Sequence, residues 1–460
     1  MFKTLKEAQE YLESFIRPTV FERVKEDSHL KDPLDRMRVL LHLLGDPQKE
    51  FKSVQVSGTS GKGSTAYLLA NILTKAGYKT GFATSPHLQR ISERMQINMQ
   101  EIPDHGLLEL VHELVSVNEQ MKNLPEGEPS YFELLTALAF MHFAKEKVDI
   151  AVVEVGLEGK YDATNVLDPL VVILTNISQD HTELLGDTEE AIAGEAFSIV
   201  RKNLQRTAPK VITGIQQQSL LKILDRQAKE CDAEVKVQGR DFFFHITART
   251  QTGVCFAFAK DSLIIEDLEV HLRGAYQVSN ASLAISAVFA LKEIGLDLSV
   301  ENIRQGLLTA SFPGRFEVIS YKDKTIVLDG AHNNAKMNAF LQALSDYYPD
   351  QTKTFIIGFK KNKDIKPMLK NLFAQKGNSY IFTQFHKTGD YVRSSTMELD
   401  ELKENVIALD NAQNYSFQDT VPHAFKEAIS TPSDLLVVTG SLYLVGEMRD
   451  LLDKYITVEA

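Results

Sequence analysis

The chain of 460 residues has little cysteine, no excess of positive charge and no long hydrophobic run, and each shortage excludes a class of protein. Its two cysteines, Cys231 and Cys255, make neither a disulfide framework nor a metal-ligand spacing, so we expect both to be reduced. The formal net charge of −12 argues against a nucleic-acid partner bound over a broad basic face. No apolar run reaches membrane-spanning length, and no secretory signal opens the sequence. We therefore expect a cytoplasmic protein without nucleic-acid or membrane partners.

The pattern of apolar residues indicates an α/β protein. The stretch 53–56 predicts the first strand, and runs without alternation at 150–155 and 171–175 suit strands that are buried on both faces of a parallel sheet. Helical periodicity lies between them, as at 132–144. Residues 232–272 predict a β-rich insert.

The stretch Ser311-Phe312-Pro313-Gly314 predicts a boundary between two domains, 1–312 and 313–460. Beyond it, short strands and helices alternate again, which is typical of a second, Rossmann-like α/β domain.

The strongest local signal is a glycine-rich stretch between an apolar strand and a helix. Glycines let several backbone N–H groups point at one anion, and the helix N-terminus adds partial positive charge. Lys62 supplies a full charge for phosphates, and a hydroxyl from Ser64 or Thr65 can meet the metal that accompanies them. Gly63 breaks the standard G-x-x-x-x-G-K-[ST] spacing, but the context still predicts an ATP-binding loop. Its residues are Gly58, Thr59, Ser60, Gly61, Lys62, Gly63, Ser64 and Thr65.

This loop resembles the ATP loop of the Mur ligase superfamily, in the form found in folylpolyglutamate synthases. Further stretches resemble that family's motifs and follow the same order along the chain. They are Ser85-Pro86-His87-Leu88 with Glu93-Arg94, Glu154-Val155-Gly156-Leu157, Asp162-Ala163-Thr164-Asn165-Val166, Asp180-His181, Gly274 with Gln277 and Asn280-Ala281, Gly314-Arg315, Asp329-Gly330-Ala331-His332-Asn333, and residues 439–447. Because the matches run from about residue 36 to 449, the chain is identified as a member of the folylpolyglutamate/dihydrofolate synthase family.

The resemblance implies an ATP-dependent ligase that joins the amino group of L-glutamate to the carboxylate of dihydropteroate or a reduced folate. In the family's route ATP phosphorylates the carboxylate, and the amine then attacks the acyl phosphate. Positioning and charge neutralisation dominate such chemistry. The resemblance also implies a Mur-ligase-type ATP-binding domain followed by a Rossmann-like ligase domain, two Mg²⁺ sites, and a monomer.

Roles for individual residues are implied in the same way. The expected catalytic residues are Lys62, Glu154 and His181, and the expected Mg²⁺ ligands are Ser85, Glu154 and His181. Ser85, Pro86, His87 and Leu88 are assigned to folate binding, in a form that weakly favours dihydropteroate. ATP contacts outside the loop are implied at Asn280 (adenine), Arg315 (phosphate), Asp329 (ribose or amine) and His332.

Two other stretches are assigned to structure. Glu133 and Thr136 lie on the predicted helix and are expected to pack or to support the site. The run Phe242-Phe243-Phe244 predicts strand core and not a site that stacks on a pterin.

One departure from the family bears on the metal. The family's carbamylated lysine helps to hold the second Mg²⁺, and here Ala196 takes its place, which cannot carry a carbamate. Three interpretations stay open: Glu195 supplies the missing carboxylate; the second metal binds weakly and the enzyme is slow; or the chain is a non-catalytic paralogue that binds folate and nucleotide. Because the other motifs are largely kept, our hypothesis is that ligase activity survives. A cell-wall Mur ligase would share the loop but not the stretches 162–166 and 439–447 together.

Overall fold

The computed structural model describes most of the chain and divides it into two compact units. The described residues are 2–16, 27–32, 34–156, 159–178, 188–202, 208–361, 363–375, 377–386, 396–409 and 414–459. Unit 1 comprises Met1–Thr250, Val254–His271 and Gln277–Ala310. Unit 2 comprises Gln251–Gly253, Leu272–Tyr276 and Ser311–Ala460. His181 lies outside the described residues, as does its neighbour Asp180.

Among the described residues, unit 1 contains an eight-stranded and mostly parallel sheet in the order β4-β3-β2-β5-β1-β6-β7-β8. Its strands are β1 (Lys52–Ser57), β2 (Thr80–Ala83), β3 (Met95–Ile97), β4 (Gln100–Glu101), β5 (Ile150–Glu154), β6 (Val171–Leu174), β7 (Lys210–Thr213) and β8 (Glu234–Val237). β3 runs antiparallel to β2 and β4, whereas the other neighbouring strands are parallel. Every residue of β5 is buried, as expected of a strand covered on both faces.

Helices cover this sheet. They are α1 (Leu5–Glu13), α2 (Asp35–Leu43), α3 (Lys62–Lys75), α4 (Asp104–Met121), α5 (Tyr131–Lys145), α6 (Glu189–Ala196), α7 (Gln218–Cys231), α8 (Ala275–Glu293) and α9 (Val300–Leu308), with 3₁₀ turns at Pro47–Lys49, Ile91–Arg94, Ala163–Val166 and Phe197–Ile199. The helix α5 is apolar on all sides and is buried nearly throughout, so it belongs to the core and not to the surface. No helix in the described stretches combines the length and the apolar character needed to cross a bilayer.

The predicted β-rich insert differs from the observed one in two respects. It is an antiparallel sheet of β9 (Phe242–Arg249), β10 (Val254–Lys260) and β11 (Leu263–Val270), and the third strand was not predicted. β8 lies within the predicted insert but pairs in parallel with β7, so it belongs to the large sheet. The core assignment of the phenylalanine run is wrong for Phe243, which is 50% exposed, because successive strand residues face opposite sides and Phe242 takes the buried side.

Among the described residues, unit 2 contains a six-stranded sheet in the order β12-β13-β17-β14-β15-β16. Its strands are β12 (Glu317–Tyr321), β13 (Lys324–Leu328), β14 (Lys353–Ile357), β15 (Ser379–Thr383), β16 (Asn414–Gln418) and β17 (Leu435–Thr439). Its helices are α10 (Asn334–Tyr347), α11 (Lys366–Phe373), α12 (Leu399–Ile407), α13 (Val421–Ile429) and α14 (Leu442–Glu459). β12 is antiparallel to β13 and the remaining pairs are parallel. The predicted α/β class is therefore confirmed.

The sheets place the motif residues at the carboxyl ends of strands. In unit 1, Gly58 follows β1, Thr84 follows β2, Val155 follows β5 and Thr175 follows β6. Because these strands are parallel neighbours, the residues that follow them meet at one edge of the sheet, which is where ligands bind in open α/β sheets.

A buried ion cluster joins α2 to the first turn of α5. Arg36 Nε donates to Glu133 Oε2 at 2.9 Å, and Arg36 Nη1 donates to Asp27 Oδ1 at 2.5 Å. Glu133 Oε2 also accepts the backbone N–H and the hydroxyl of Ser130, both at 2.7 Å, which caps α5. The structural role expected for Glu133 matches this geometry.

Replacing Arg36 with methionine is expected to lower the free energy of unfolding by about 3–5 kcal/mol, because it removes the guanidinium from two buried carboxylates. Urea unfolding of the full chain measures the change. Arg38→Met is the matched control, since the Arg38 side chain on the same helix is 49% exposed and its ion pairs face solvent. Equal stability of the two variants would show that the cluster contributes nothing to the fold.

Candidate functional site

The glycine-rich loop joins β1 to α3 and turns on two glycines. Gly58 has φ of +124° and Gly61 has φ of +85°, a region in which residues with a side chain are strained. Lys62 opens α3, and its Nζ donates to the Gly58 carbonyl at 2.5 Å. A methyl group on Gly61 would lie 2.4 Å from Asn280 Oδ1, so the predicted adenine contact packs directly against the predicted phosphate loop.

The segment that follows β6 holds this loop. Asn176 O accepts the N–H of Thr59 at 2.9 Å, and Asn176 Oδ1 accepts the N–H of Ser60 at 2.8 Å. The Thr59 hydroxyl donates to Ser178 O and accepts from Ser178 N–H, both at 3.1 Å. A methyl group on Gly58 would lie 2.2 Å from Thr175 Oγ1, so only glycine allows this close approach.

Four hydroxyl oxygens around the loop are buried without a hydrogen-bond partner: Ser57 Oγ, Ser60 Oγ, Thr65 Oγ1 and Ser178 Oγ. Most buried polar atoms in proteins are paired, so a group of unpaired hydroxyls at one loop indicates a place for a polar ligand. Together with the N–H groups at the start of α3, which have no partner within the helix, these oxygens suit an anion and its counter-ion.

Glu154 ends β5 and is 7% exposed. Its Oε2 accepts a short hydrogen bond from the Thr84 hydroxyl and a second from the backbone N–H of Ser85 at 3.2 Å. Both bonds end on one oxygen, which leaves Oε1 for a further partner. A carboxylate beside two hydroxyl-bearing residues is the all-oxygen environment that Mg²⁺ prefers, so these residues fit the ion. Within the described residues no group of three His, Cys, Asp or Glu side chains forms a metal site, and the third expected ligand, His181, lies outside them.

A small open cleft lies beside Glu154. Its walls include Thr84, Ser85, Arg94, Phe132, Thr136 and Glu154. Arg94 is 3% exposed, and its Nε donates to His87 Nδ1 at 2.8 Å. A methyl group on Gly156 would lie 2.2 Å from Phe132 Cζ, so the absence of a side chain at 156 makes room for that ring.

The loop assigned to folate is folded by the carboxylate of Glu93. This carboxylate accepts the backbone N–H groups of Leu88, Gln89 and Arg90 at 2.6, 2.7 and 2.8 Å. Of the four residues assigned to folate, Ser85 lines the cleft, His87 contacts Arg94, and Leu88 is buried.

Sequence reasoning missed three of the walls named above, Thr84, Arg94 and Phe132. Phe132 and Arg94 were not assigned to a site, and Thr136, assigned to packing, also lines the cleft. The signal for Arg94 was present, because an arginine in a family motif followed a loop already assigned to substrate. Phe132 carries no such signal, since its position next to Gly156 depends on how a helix packs against a distant strand end.

Unit 2 presents a second group of predicted residues after β13. Asp329 is 6% exposed, and its Oδ2 and Oδ1 accept the N–H groups of Phe316 and Ala331, each at 2.9 Å. Burial raises the pKa of Asp329 from 3.8 to about 6, although the charge of Arg315 and the two N–H groups act in the opposite direction. The carboxylate therefore joins the turn that carries Arg315 to the end of β13.

His332 is fixed between two partners. Its Nδ1 lies 2.8 Å from Gly330 O, and its Nε2 lies 3.0 Å from Lys336 Nζ. A carbonyl can only accept and an ammonium can only donate, so this arrangement selects a neutral ring with the proton on Nδ1. The guanidinium of Arg315 lies 5.5 Å from the centre of the Phe312 ring.

The position that replaces the family's lysine packs in the core. Ala196 is fully buried in an apolar cluster with Val155 and Phe197. Its neighbour Glu195 has Oε2 buried without a hydrogen-bond partner, and so does Ser198 at its Oγ. A methyl group on Gly159 would lie 2.3 Å from the backbone oxygen of Glu195, which places the backbone of Glu195 against the loop that follows β5.

Comparison with known proteins decides the family. Residues 56–288 match the Mur ligase middle domain, and residues 315–452 match the C-terminal domain of dihydrofolate synthetase. The chain is 30% identical over 427 residues to a dihydrofolate synthase/folylpolyglutamate synthase of Bacillus subtilis, covering 92% of this chain and 95% of that one. The chain belongs to the folylpolyglutamate synthase/dihydrofolate synthase family. Its members are ATP-dependent ligases, and this chain is one of them.

Two further relatives agree. A folylpolyglutamate synthase of Lacticaseibacillus casei is 32% identical over 422 residues, which cover 91% of this chain and 94% of that protein. The structure of a Mycobacterium tuberculosis folylpolyglutamate synthase complexed with ADP superposes with a TM-score of 0.85 at 27% identity, over 97% of this chain and 98% of that one. The likeness extends over both units, which confirms the predicted Mur-ligase-type fold with its second, C-terminal α/β domain.

The raised pKa of Asp329 predicts a pH dependence of stability with a definite sign. Between pH 4 and about 6 the folded state binds more protons than the unfolded state, so the free energy of unfolding falls as pH rises and levels off above 6. The total change is at most about 3 kcal/mol. Asp329→Asn removes this dependence, so the thermal midpoint of the wild type relative to the variant should decline from pH 4 to 6.

Asp364→Asn is the control for that series, because Asp364 is exposed in the same unit. The difference in thermal midpoint between the wild type and this control should stay constant from pH 4 to 6. A thermal midpoint of the wild type that rises with pH relative to that of Asp329→Asn would contradict the raised pKa.

Proposed function

We propose that this chain joins L-glutamate to the carboxylate of dihydropteroate or a reduced folate, with ATP as the phosphoryl donor. The observation that carries the proposal is the loop at the start of α3, whose buried and unpaired hydroxyls lie at the sheet edge that also carries Glu154 and the cleft. The names of the relatives, dihydrofolate synthase and folylpolyglutamate synthase, supply the substrate class.

The phosphate loop binds the ATP phosphates in this proposal. Lys62 Nζ, which donates to the Gly58 carbonyl, turns to the β- and γ-phosphates, while the N–H groups at the start of α3 receive phosphate oxygens. Asn280 is proposed at the adenine, which its contact with Gly61 supports. Arg315, Asp329 and His332 are proposed as ATP contacts of unit 2 on the basis of the resemblance.

Mg²⁺ is proposed at Ser85, Glu154 and His181, where it would neutralise phosphate charge during the transfer. Glu154 Oε1 is the oxygen that supports this assignment, because both of the observed hydrogen bonds end on Oε2. Lys62 then shares the developing negative charge with the N–H groups of the loop.

The folate substrate is proposed in the cleft beside Glu154, with Ser85 and the rest of its loop, Pro86, His87 and Leu88, at one wall. The substrate carboxylate attacks the γ-phosphorus, and ADP leaves. The amino nitrogen of glutamate attacks the resulting acyl carbon, inorganic phosphate leaves, and the nitrogen loses a proton. Arg94 and Phe132 provide one cationic and one apolar contact for a substrate with an aromatic body and an anionic tail. We propose a monomer by resemblance.

Glu154→Gln is expected to lower kcat by about 100-fold or more, because it weakens the proposed carboxylate ligand of the Mg²⁺ that neutralises the developing phosphoryl charge. Phosphate release with ATP, Mg²⁺, glutamate and either dihydropteroate or tetrahydrofolate measures the rate and identifies the acceptor. Glu146→Gln is the control, since Glu146 forms an exposed ion pair with Lys79 in the same unit. If the wild type binds ATP but releases no phosphate with either acceptor, the non-catalytic interpretation is favoured and the proposal is contradicted.

Glu195 is proposed as the carboxylate that takes the place of the family's carbamate. Its buried and unpaired Oε2 supports this role, because a buried carboxylate oxygen without a donor is costly unless a cation or donor arrives. Glu195→Ala is expected to raise, by about tenfold, the Mg²⁺ concentration needed for half-maximal rate. It should also weaken Mn²⁺ binding measured by electron paramagnetic resonance in the presence of ADP.

Glu190→Ala on the same helix is the control for this substitution, since Glu190 is exposed. Unchanged Mg²⁺ dependence and unchanged Mn²⁺ binding in Glu195→Ala would show that Glu195 is not the substitute.

A further inference from the structure

The dipeptide Thr59-Ser60 lies between two glycines, which restrain the backbone on either side of it only weakly. Gly58 and Gly61 both have positive φ, and glycine populates that region about as readily as the ordinary one. The peptide planes that join the dipeptide to Gly58 and to Gly61 can therefore rotate at small energetic cost. A loop that binds phosphates through backbone N–H groups needs those planes held before the ligand arrives, because ordering them during binding lowers affinity.

Asn176 is the residue that holds these planes. Its carbonyl accepts the N–H of Thr59 at 2.9 Å, and its side-chain Oδ1 accepts the next N–H, that of Ser60, at 2.8 Å. Two consecutive peptide planes are thus fixed by one residue. The contact through Oδ1 is the one that depends on the identity of the side chain.

Asn176 is itself anchored to the sheet. The preceding residue, Thr175, donates its N–H to Ser57 O at 2.9 Å and its hydroxyl to the same carbonyl at 3.2 Å. Two residues later, Ser178 exchanges two hydrogen bonds with the Thr59 hydroxyl. The segment that follows β6, the neighbour of β1, therefore holds the loop by hydrogen bonds, in addition to the loop's own strand and helix.

We infer that Asn176 is a positioning residue for nucleotide binding: its side chain sets the orientation of the Ser60 peptide so that the following N–H groups face the phosphates. Asn176 does not need to touch the nucleotide for this role. The inference rests on the proposed binding of ATP at this loop and adds a residue from another strand to that site.

Asn176→Ala separates this role from a purely structural one. The side chain is exposed, so its removal opens no cavity, and the carbonyl that holds Thr59 remains. The expected result is a Kd for Mg·ADP about five- to tenfold higher than that of the wild type by isothermal titration calorimetry, the loss expected for one hydrogen bond. KM for ATP should rise in parallel, whereas KM for the folate substrate and the thermal midpoint without ligand should stay as in the wild type.

Asn378→Ala is the control for the hydrogen bond, because the buried Asn378 accepts the N–H of Lys353, the first residue of β14 in unit 2, at 2.9 Å through its Oδ1. It should leave the Kd for Mg·ADP unchanged. A Kd for Asn176→Ala within twofold of the wild type would overturn the inference, and so would tighter binding, which would mean that Asn176 competes with phosphate. An equal rise in the KM of the folate substrate would assign Asn176 a merely structural role and also overturn it. Failure of the wild type to bind Mg·ADP would instead refute the proposed function.

Discussion

The site in unit 1 depends on the register of its parallel strands. Val56 of β1 lies opposite Glu154 of β5, and Ser57 lies opposite Leu174 of β6. Thr84 follows Ala83, which lies opposite Val153. A shift of one residue in any of these pairs would turn Glu154 to the other face of the sheet or separate Gly58 from Thr175. Hydrogen bonding along the strands therefore determines which functional groups meet.

This dependence explains which parts of the fold could be predicted from the sequence. Continuous apolar runs identify central strands such as β5 and β6, because both faces of those strands are covered. Several of the strands that were missed or misassigned lie at sheet edges or are polar. β16 has the sequence NYSFQ at the end of its sheet, and β8 lies at the edge of the large sheet. At such positions one face or one edge meets solvent, so the apolar signal is weak.

In the candidate site, too, some residues could be predicted from the sequence and others could not. The phosphate loop and Glu154 belong to single contiguous motifs, and the chemistry of each is legible from neighbouring residues. The cleft is different, because its walls come from the ends of β2 and β5, from the turn that contains Arg94 and from α5. Likewise, nothing in the sequence near Asn176 indicates that its side chain accepts a hydrogen bond from Ser60, more than 100 residues earlier. Contacts of this kind follow from topology and not from local pattern.

The contact between Phe132 and Gly156 makes these two positions interdependent over evolutionary time. Alanine at 156 would clash with the aromatic ring, so that substitution is accessible only to a lineage whose residue at 132 has already become smaller. A lineage that first replaces Gly156 while Phe132 is still present would place the new side chain against the ring. In a library of variants, substitutions at 156 should accordingly become tolerated only where the residue at 132 has already become smaller.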